Sequence, residues 1–99
     1  MGAMSNDVRN NAVASRYELF VDGALVGIAD YEVVDDRVVF PHTEIVREQR
    51  GRGLGAVLVQ GALDDVRSTG RSVVPQCWYV AEFIDDHPEY EEMRVARTA

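Results

Sequence analysis

Over residues 47–55 the chain changes character within a few positions, and this change constrains the fold more than any other feature. A segment ending in Ile45-Val46 gives way to Arg47-Glu48-Gln49-Arg50-Gly51-Arg52-Gly53-Leu54-Gly55. After it Leu54, Val57, Leu58, Gly61, Ala62 and Val66 recur at helical spacing, while Gln60, Asp64, Asp65 and Arg67 take other faces. Gly70 stands where a left-handed residue closes a helix. Residues 72–77, Ser-Val-Val-Pro-Gln-Cys, then read as a short strand. Strand, helix and strand in succession favour parallel pairing through a crossover. The strand ending at Cys77 is therefore expected beside residues 42–46.

Upstream the pattern is that of a meander. Residues 16–21 (Arg-Tyr-Glu-Leu-Phe-Val) are aromatic and β-branched, which favours a strand. Asp22-Gly23 supplies the positive φ angles of a type I′ hairpin turn. Residues 24–34 predict a second strand, with Gly27 as a bulge or point of close approach. Asp35-Asp36 makes another turn, and a third strand begins at Arg37. Pro41 should break that strand, bulge it or restart it, because proline cannot donate to a ladder. Residues 78–84 predict a short helix, and Asp86-His87-Pro88 leads into a last helical turn with proline in first position. The expected fold class is α/β (α+β): an antiparallel meander leading into a strand–helix–strand unit, with a short C-terminal helix.

The 99 residues suit one small domain, expected over residues 15–96. Residues 1–14 lack periodicity and are expected to be a disordered leader, with Gly2-Ala3 a tag scar and Met4 the native start. A lone cysteine, Cys77, excludes an intramolecular disulfide, and no Cys/His cluster has zinc-ligand spacing, so no metal is expected. No apolar run approaches the ~20 residues of a membrane span and no secretory signal is visible, which points to the cytoplasm. A monomer or weak dimer is expected. Net charge is −7, from 17 acids against 10 bases, all of them arginine. That balance argues against nucleic acid, whose binding rests on phosphate neutralisation. The charge is also segregated. Arg47, Arg50 and Arg52 stand together, while Glu82, Asp85, Asp86, Glu89, Glu91 and Glu92 crowd near the C-terminus. One pole suits a compact anion and the other a cation.

The run Arg50-Gly51-Arg52-Gly53-Leu54-Gly55 lies between a strand and the helix it feeds. Glycines let the backbone approach a ligand, and the free N–H groups of the first helical turn point at whatever binds. The helix dipole and the arginines add positive potential, so the loop suits a diphosphate. It is not a P-loop, since no Gly-Lys-Ser/Thr follows, and it lacks the context of a dinucleotide fingerprint.

This loop is similar to the (Gln/Arg)-x-x-Gly-x-(Gly/Ala) motif of the GNAT acyltransferase superfamily. Phe40-x-His42-Thr43-x-Ile45, Val74-Pro75-x-Cys77-x-Tyr79-Val80, Phe83-Ile84 and His87-Pro88-Glu89-Tyr90 extend the likeness, which runs from Arg16 to Met93. Together they resemble the minimal GNAT-like proteins. The resemblance implies four or five strands, a cleft between two splayed strands and N-acetyltransferase activity. It also implies that acetyl-CoA is the cosubstrate, with its pyrophosphate held by residues 50–55. Helices that shape the acceptor site in longer members have no counterpart in the sequence.

Acetyl transfer from a thioester to an amine needs a proton acceptor, a stabilised oxyanion and a proton for the leaving thiolate. Backbone N–H groups at Ile45 and Val46 are candidates for the oxyanion. His42 and Glu44 share one face of an extended segment and are candidate bases, against the alternative of ordinary surface residues. Cys77 is a candidate nucleophile, a cleft-lining side chain or plain core; as a nucleophile its thiol needs activation by a histidine or helix N-terminus. Tyr79 is a thiolate acid or a packing tyrosine, and His87 either starts a helix or closes the cleft. The expected acceptor is a small or peptide-borne cationic amine, a basic peptide included. The alternatives are a non-catalytic CoA or acyl-CoA-binding module, or a self-acylating protein.

Overall fold

A computed structural model describes residues 5–95. Five strands form one sheet in sequential order: β1 (Asn6–Asn11), β2 (Arg16–Val21), β3 (Ala24–Val34), β4 (Arg37–Ile45) and β5 (Ser72–Val74). The first four pair antiparallel, and β5 joins β4 in parallel. Helix α1 (Leu54–Thr69) crosses between β4 and β5, and α2 (Trp78–Asp86) follows β5. Single 3₁₀ segments occupy Arg47–Gln49 and Pro88–Met93. The mixed α/β class and the meander agree with the sequence, and Gly70 closes α1 at φ 76°.

Two expectations are corrected. The first concerns the leader: residues 6–11 are not disordered but form β1, paired along its whole length with β2. Only Val8 in this strand has an aliphatic side chain, so an edge strand with one inward anchor reads like a polar tail. Asn11, the last residue of β1, caps the turn that follows it, its side chain accepting the Ala14 N–H at 3.1 Å. Gly2-Ala3 lie outside the described residues. The second concerns β5, which is shorter than residues 72–77 and pairs with Arg37–Val39 rather than residues 42–46. Cys77 is instead the N-cap of α2. At Pro41, where a break, a bulge or a restart was open, β4 continues and the outcome is a bulge. Asp30 pairs with His42 and Glu32 with Val39, leaving Phe40 and Pro41 opposite Tyr31.

The core lies between the sheet and the helices. Leu19 and Phe40 from the sheet meet Leu58 and Leu63 of α1 and Ile84 of α2, all fully buried. Gly61 lets α1 approach β1, because a β-carbon there would fall 2.7 Å from Val8. Neighbouring carboxylates on α1 hold two different elements: Asp65 accepts the Tyr17 hydroxyl of β2, and Asp64 the Tyr90 hydroxyl of the last 3₁₀ segment, each at 2.7 Å. Among the described residues no helix is long and apolar enough to cross a membrane.

Candidate functional site

The bulge at Phe40-Pro41 decides which groups of β4 face which way. A one-residue insertion reverses the alternation of both side chains and backbone. Before it Val38 and Phe40 point into the core; after it Thr43 and Ile45 turn inward, while His42 and Glu44 face solvent. Beyond the bulge, Val46 N–H donates to Val26 C=O at 2.8 Å. By antiparallel alternation Glu44 and His42 also bond to β3. The N–H groups of Thr43 and Ile45 are therefore directed away from β3, towards the side where β5 would continue.

That continuation does not occur. Ser72 N–H bonds to Asp36 C=O, so a regular ladder would use Gln76 N–H next to the Phe40 carbonyl. Gln76 instead turns back to Val74 C=O at 3.1 Å, and Cys77 N–H takes Phe40 C=O at 2.8 Å, one residue late. The chain then enters α2 and leaves the sheet. Between the free side of β4 and the start of α2 lies a cleft of about 540 Å³. This is within the roughly 300–1,000 Å³ typical of small-molecule sites.

One wall of the cleft is His42, Thr43, Glu44 and Ile45; the opposite wall is Cys77, Trp78 and Tyr79. Its end is closed by the glycine loop and the first turn of α1, with Gln49, Arg50, Gly51, Gly53, Leu54 and Gly55 at the surface. Gly51 and Gly53 adopt φ of 83° and 73°, angles at which side-chain-bearing residues are strained. Arg50 Nε donates to the Ile45 carbonyl at 3.0 Å and ties the loop to the strand it left. Gly55 is required by packing: a β-carbon on it would lie 2.5 Å from the Tyr79 hydroxyl. Burial, reinforced by the charge of Glu82, pushes the Tyr79 phenol above its ordinary range and keeps it protonated.

Of the residues expected from sequence, the structure brings His42, Glu44, Ile45, Cys77, Arg50, Gly51, Gly53, Leu54 and Gly55 to one cleft. His42 Nε2 and Glu44 Oε1 lie 3.1 Å apart, both about half exposed. Val46 is a correction, because its N–H is engaged by Val26 and cannot serve an oxyanion. Arg52 lies at the loop surface outside the cleft lining. His87 does not reach the cleft either; it donates Nδ1–H to Phe83 C=O and stacks on the Phe83 ring, 4.0 Å between centroids. The acidic residues beyond Glu82 are likewise away from the cleft wall, and Asp85, Glu91 and Glu92 are tied to Arg94 or Arg67.

Thr43, Gln49 and Trp78 were not legible as site residues. Thr43 Oγ1 and Gln49 Oε1 are buried without a hydrogen-bond partner, although hydroxyls and amides are ordinarily satisfied. Both belong to residues that line the cleft. With the inward N–H groups and the left-handed glycines they form a polar cradle that a ligand rich in amides and phosphates would complete. The donor set therefore fits coenzyme A. Among the described residues no group of three or more His, Cys, Asp or Glu side chains is placed to hold a metal ion.

A family model described as GCN5-related N-acetyl-transferase matches residues 16–93. The protein NATD1 of Bos taurus is 37% identical over 59 residues, which are 59% of this chain and 52% of that one. The chain thus spans about half the length of the curated relatives it matches. A GCN5-like protein from Staphylococcus aureus, solved by NMR, superposes with a TM-score of 0.69 at 14% identity, covering 93% of this chain and 90% of that one. The crystal structure of the ribosomal-protein-S18-alanine N-acetyltransferase from Escherichia coli gives 0.55 at 20% identity, over 59% and 38% of the two chains. At these identities the structural likeness concerns the fold.

Proposed function

Since this chain belongs to the GCN5-related N-acetyltransferase family, we propose that it moves an acetyl group from acetyl-CoA to a primary amine. The observation that carries the reading is the cleft opened where β4 and β5 part, with unpaired strand donors on one wall and the glycine loop at its end. In this reading Gly51, Gly53 and the first turn of α1 hold the pyrophosphate, aided by the screened charge of Arg50 and Arg52. Thr43 and Gln49 meet the amide-bearing arm. When bound, acetyl-CoA supplies an acyl thioester that an amine opens, forming C–N and breaking C–S.

The chain's own residues manage charge and protons. The Ile45 N–H faces the cleft and is suited to receive a developing oxyanion; one such donor is typically worth about 3–4 kcal/mol. An amine arrives as an ammonium and must lose a proton before it attacks. The Glu44–His42 pair at the cleft wall accepts that proton, directly or through water. Tyr79, kept protonated by burial, returns one to the departing thiolate. From ammonium to amide the nitrogen gives up two protons: one is matched by the proton gained at sulfur, and the other leaves to solvent through the Glu44–His42 pair.

A second reading is favoured by Cys77, half-buried in the opposite wall at the N-cap of α2. Its thiol could take the acyl group first, exchanging one thioester for another before the amine attacks. Incubation with acetyl-CoA, with and without amines, followed by intact-mass measurement, tests both. Turnover without protein acylation supports direct transfer, and an added acetyl lost in Cys77→Ser supports the relay. Neither product, with no binding of CoA by calorimetry, overturns the proposed function.

A further inference from the structure

Trp78 is the only tryptophan in the chain, and it lines the cleft with 70% of its surface exposed. Its ring is braced edge-on against Tyr79, with centroids 5.7 Å apart and planes at 72°. It stands at the first position of α2, across the cleft from His42 and Glu44. One helical turn further on is Glu82, at i+4 and so on the same face as Trp78. Asp85, Glu91 and Glu92 are engaged by arginines, but Glu82 has no ion pair among the described residues. Its field nevertheless reaches the cleft, because it contributes to holding the Tyr79 phenol protonated.

An indole ring open to water and a free carboxylate one turn away form a site for an organic cation, through cation–π and direct charge attraction. The reacting nitrogen cannot be that cation, since it must be neutral to attack. We propose that Trp78 and Glu82 form a subsite for a second positive charge on the acceptor, making aliphatic diamines preferred over monoamines of the same length. This rests on the acetyl-transfer reading: one nitrogen enters between the walls towards Glu44 and His42, and the other stays protonated at the mouth. Trp78 and Glu82 are then specificity residues, which touch the acceptor but not the reacting atoms.

Because Trp78 is the sole tryptophan, its fluorescence reports occupancy of the subsite without requiring turnover. The full chain, with and without CoA, is titrated with cadaverine and with pentylamine at low and high salt. The expected result is a saturable change with cadaverine at concentrations where pentylamine gives none, weakened several-fold by Glu82→Gln and by salt. In turnover, cadaverine is favoured through KM; Trp78→Ala brings the two amines to parity, and Trp78→Phe retains part of the preference. Equal responses to the two amines, or unchanged cadaverine binding in Glu82→Gln, overturn the subsite. Calorimetry with CoA separately tests the acetyl-transfer reading, so loss of one result leaves the other decided.

Discussion

The Tyr79 hydroxyl stands over the α-carbon of Gly55, so close that a β-carbon there would lie 2.5 Å from the oxygen and 2.8 Å from the ring carbon bearing it. This contact sets how near the first turns of α1 and α2 come, and hence the width of the cleft between them.

Gly55→Ala is accordingly expected to displace Tyr79 and lower stability by about 1–3 kcal/mol, the usual cost of overpacking. In a Tyr79→Ala background the same change meets open space. There alanine's helix propensity should make it neutral or stabilising by about 0.5–1 kcal/mol. Denaturant unfolding of the four proteins measures the coupling, and additive effects would contradict it.

Gly53→Glu should abolish CoA binding and leave a folded protein. Nothing lies within 4 Å of a β-carbon at Gly53, so the structural cost is backbone strain at φ 73°, about 1–2 kcal/mol. Gly23→Glu is the control: φ there is 85°, also with open space, but at a hairpin tip outside the cleft. Calorimetry should show binding retained in the control and lost at Gly53. Equal affinity in both variants would remove the loop from the site.

Cys77 should be shielded by cofactor whichever chemistry it serves. It lines the cleft opposite Ile45 and is only half-buried. Pre-bound CoA is expected to slow maleimide labelling of the folded chain several-fold. An unchanged rate would place the ligand elsewhere.

Two tyrosines tie stability to alkaline pH. Burial, followed by the hydrogen bond to Asp64, pushes the Tyr90 phenol from 10.0 up to about 12. Burial and Asp65 raise Tyr17 in the same direction. A raised phenol binds its proton more tightly in the folded state, so its contribution is complete below pH 10 and is lost as pH rises through about 12. Unfolding followed against pH, with ultraviolet difference spectra for phenolate, should show these two tyrosines ionising together with unfolding. Tyr90→Phe is expected to cost about 1 kcal/mol at neutral pH and to shift the alkaline transition upward. Ionisation of all four tyrosines near pH 10 in a folded protein would refute this.

Much of this architecture was legible because local signals were strong. Asp22-Gly23 gave the hairpin, with both residues at positive φ, and the spacing from Leu54 to Val66 gave α1. Pro41 marked an irregularity, but choosing between a break and a bulge required knowing the partner strand, which is non-local. The same holds for β5: an apolar run identifies a strand without fixing its register or its end, and Cys77 caps a helix instead of lying alongside residues 42–46. β1 was invisible because an edge strand with one aliphatic anchor carries no period. The glycine loop announced itself by composition. Thr43 could not, since its inward direction follows from the bulge rather than from the strand's own alternation.

The late hydrogen bond from Cys77 to Phe40 has a further consequence. Sheets usually expose their unpaired strands at the rim, where charges or bulges discourage another chain from docking. Here the parting of β4 and β5 leaves unpaired backbone beside the last ladder bonds of the sheet, at Thr43 and Ile45, and none of the described residues fills the splay. The group that makes the cleft receptive is thus also a template for a stray extended segment. A bound ligand would act as a plug as well as a substrate, and the empty chain is the state most exposed to self-association. Light scattering on heating should therefore begin at a lower temperature for the free chain than for the chain saturated with CoA.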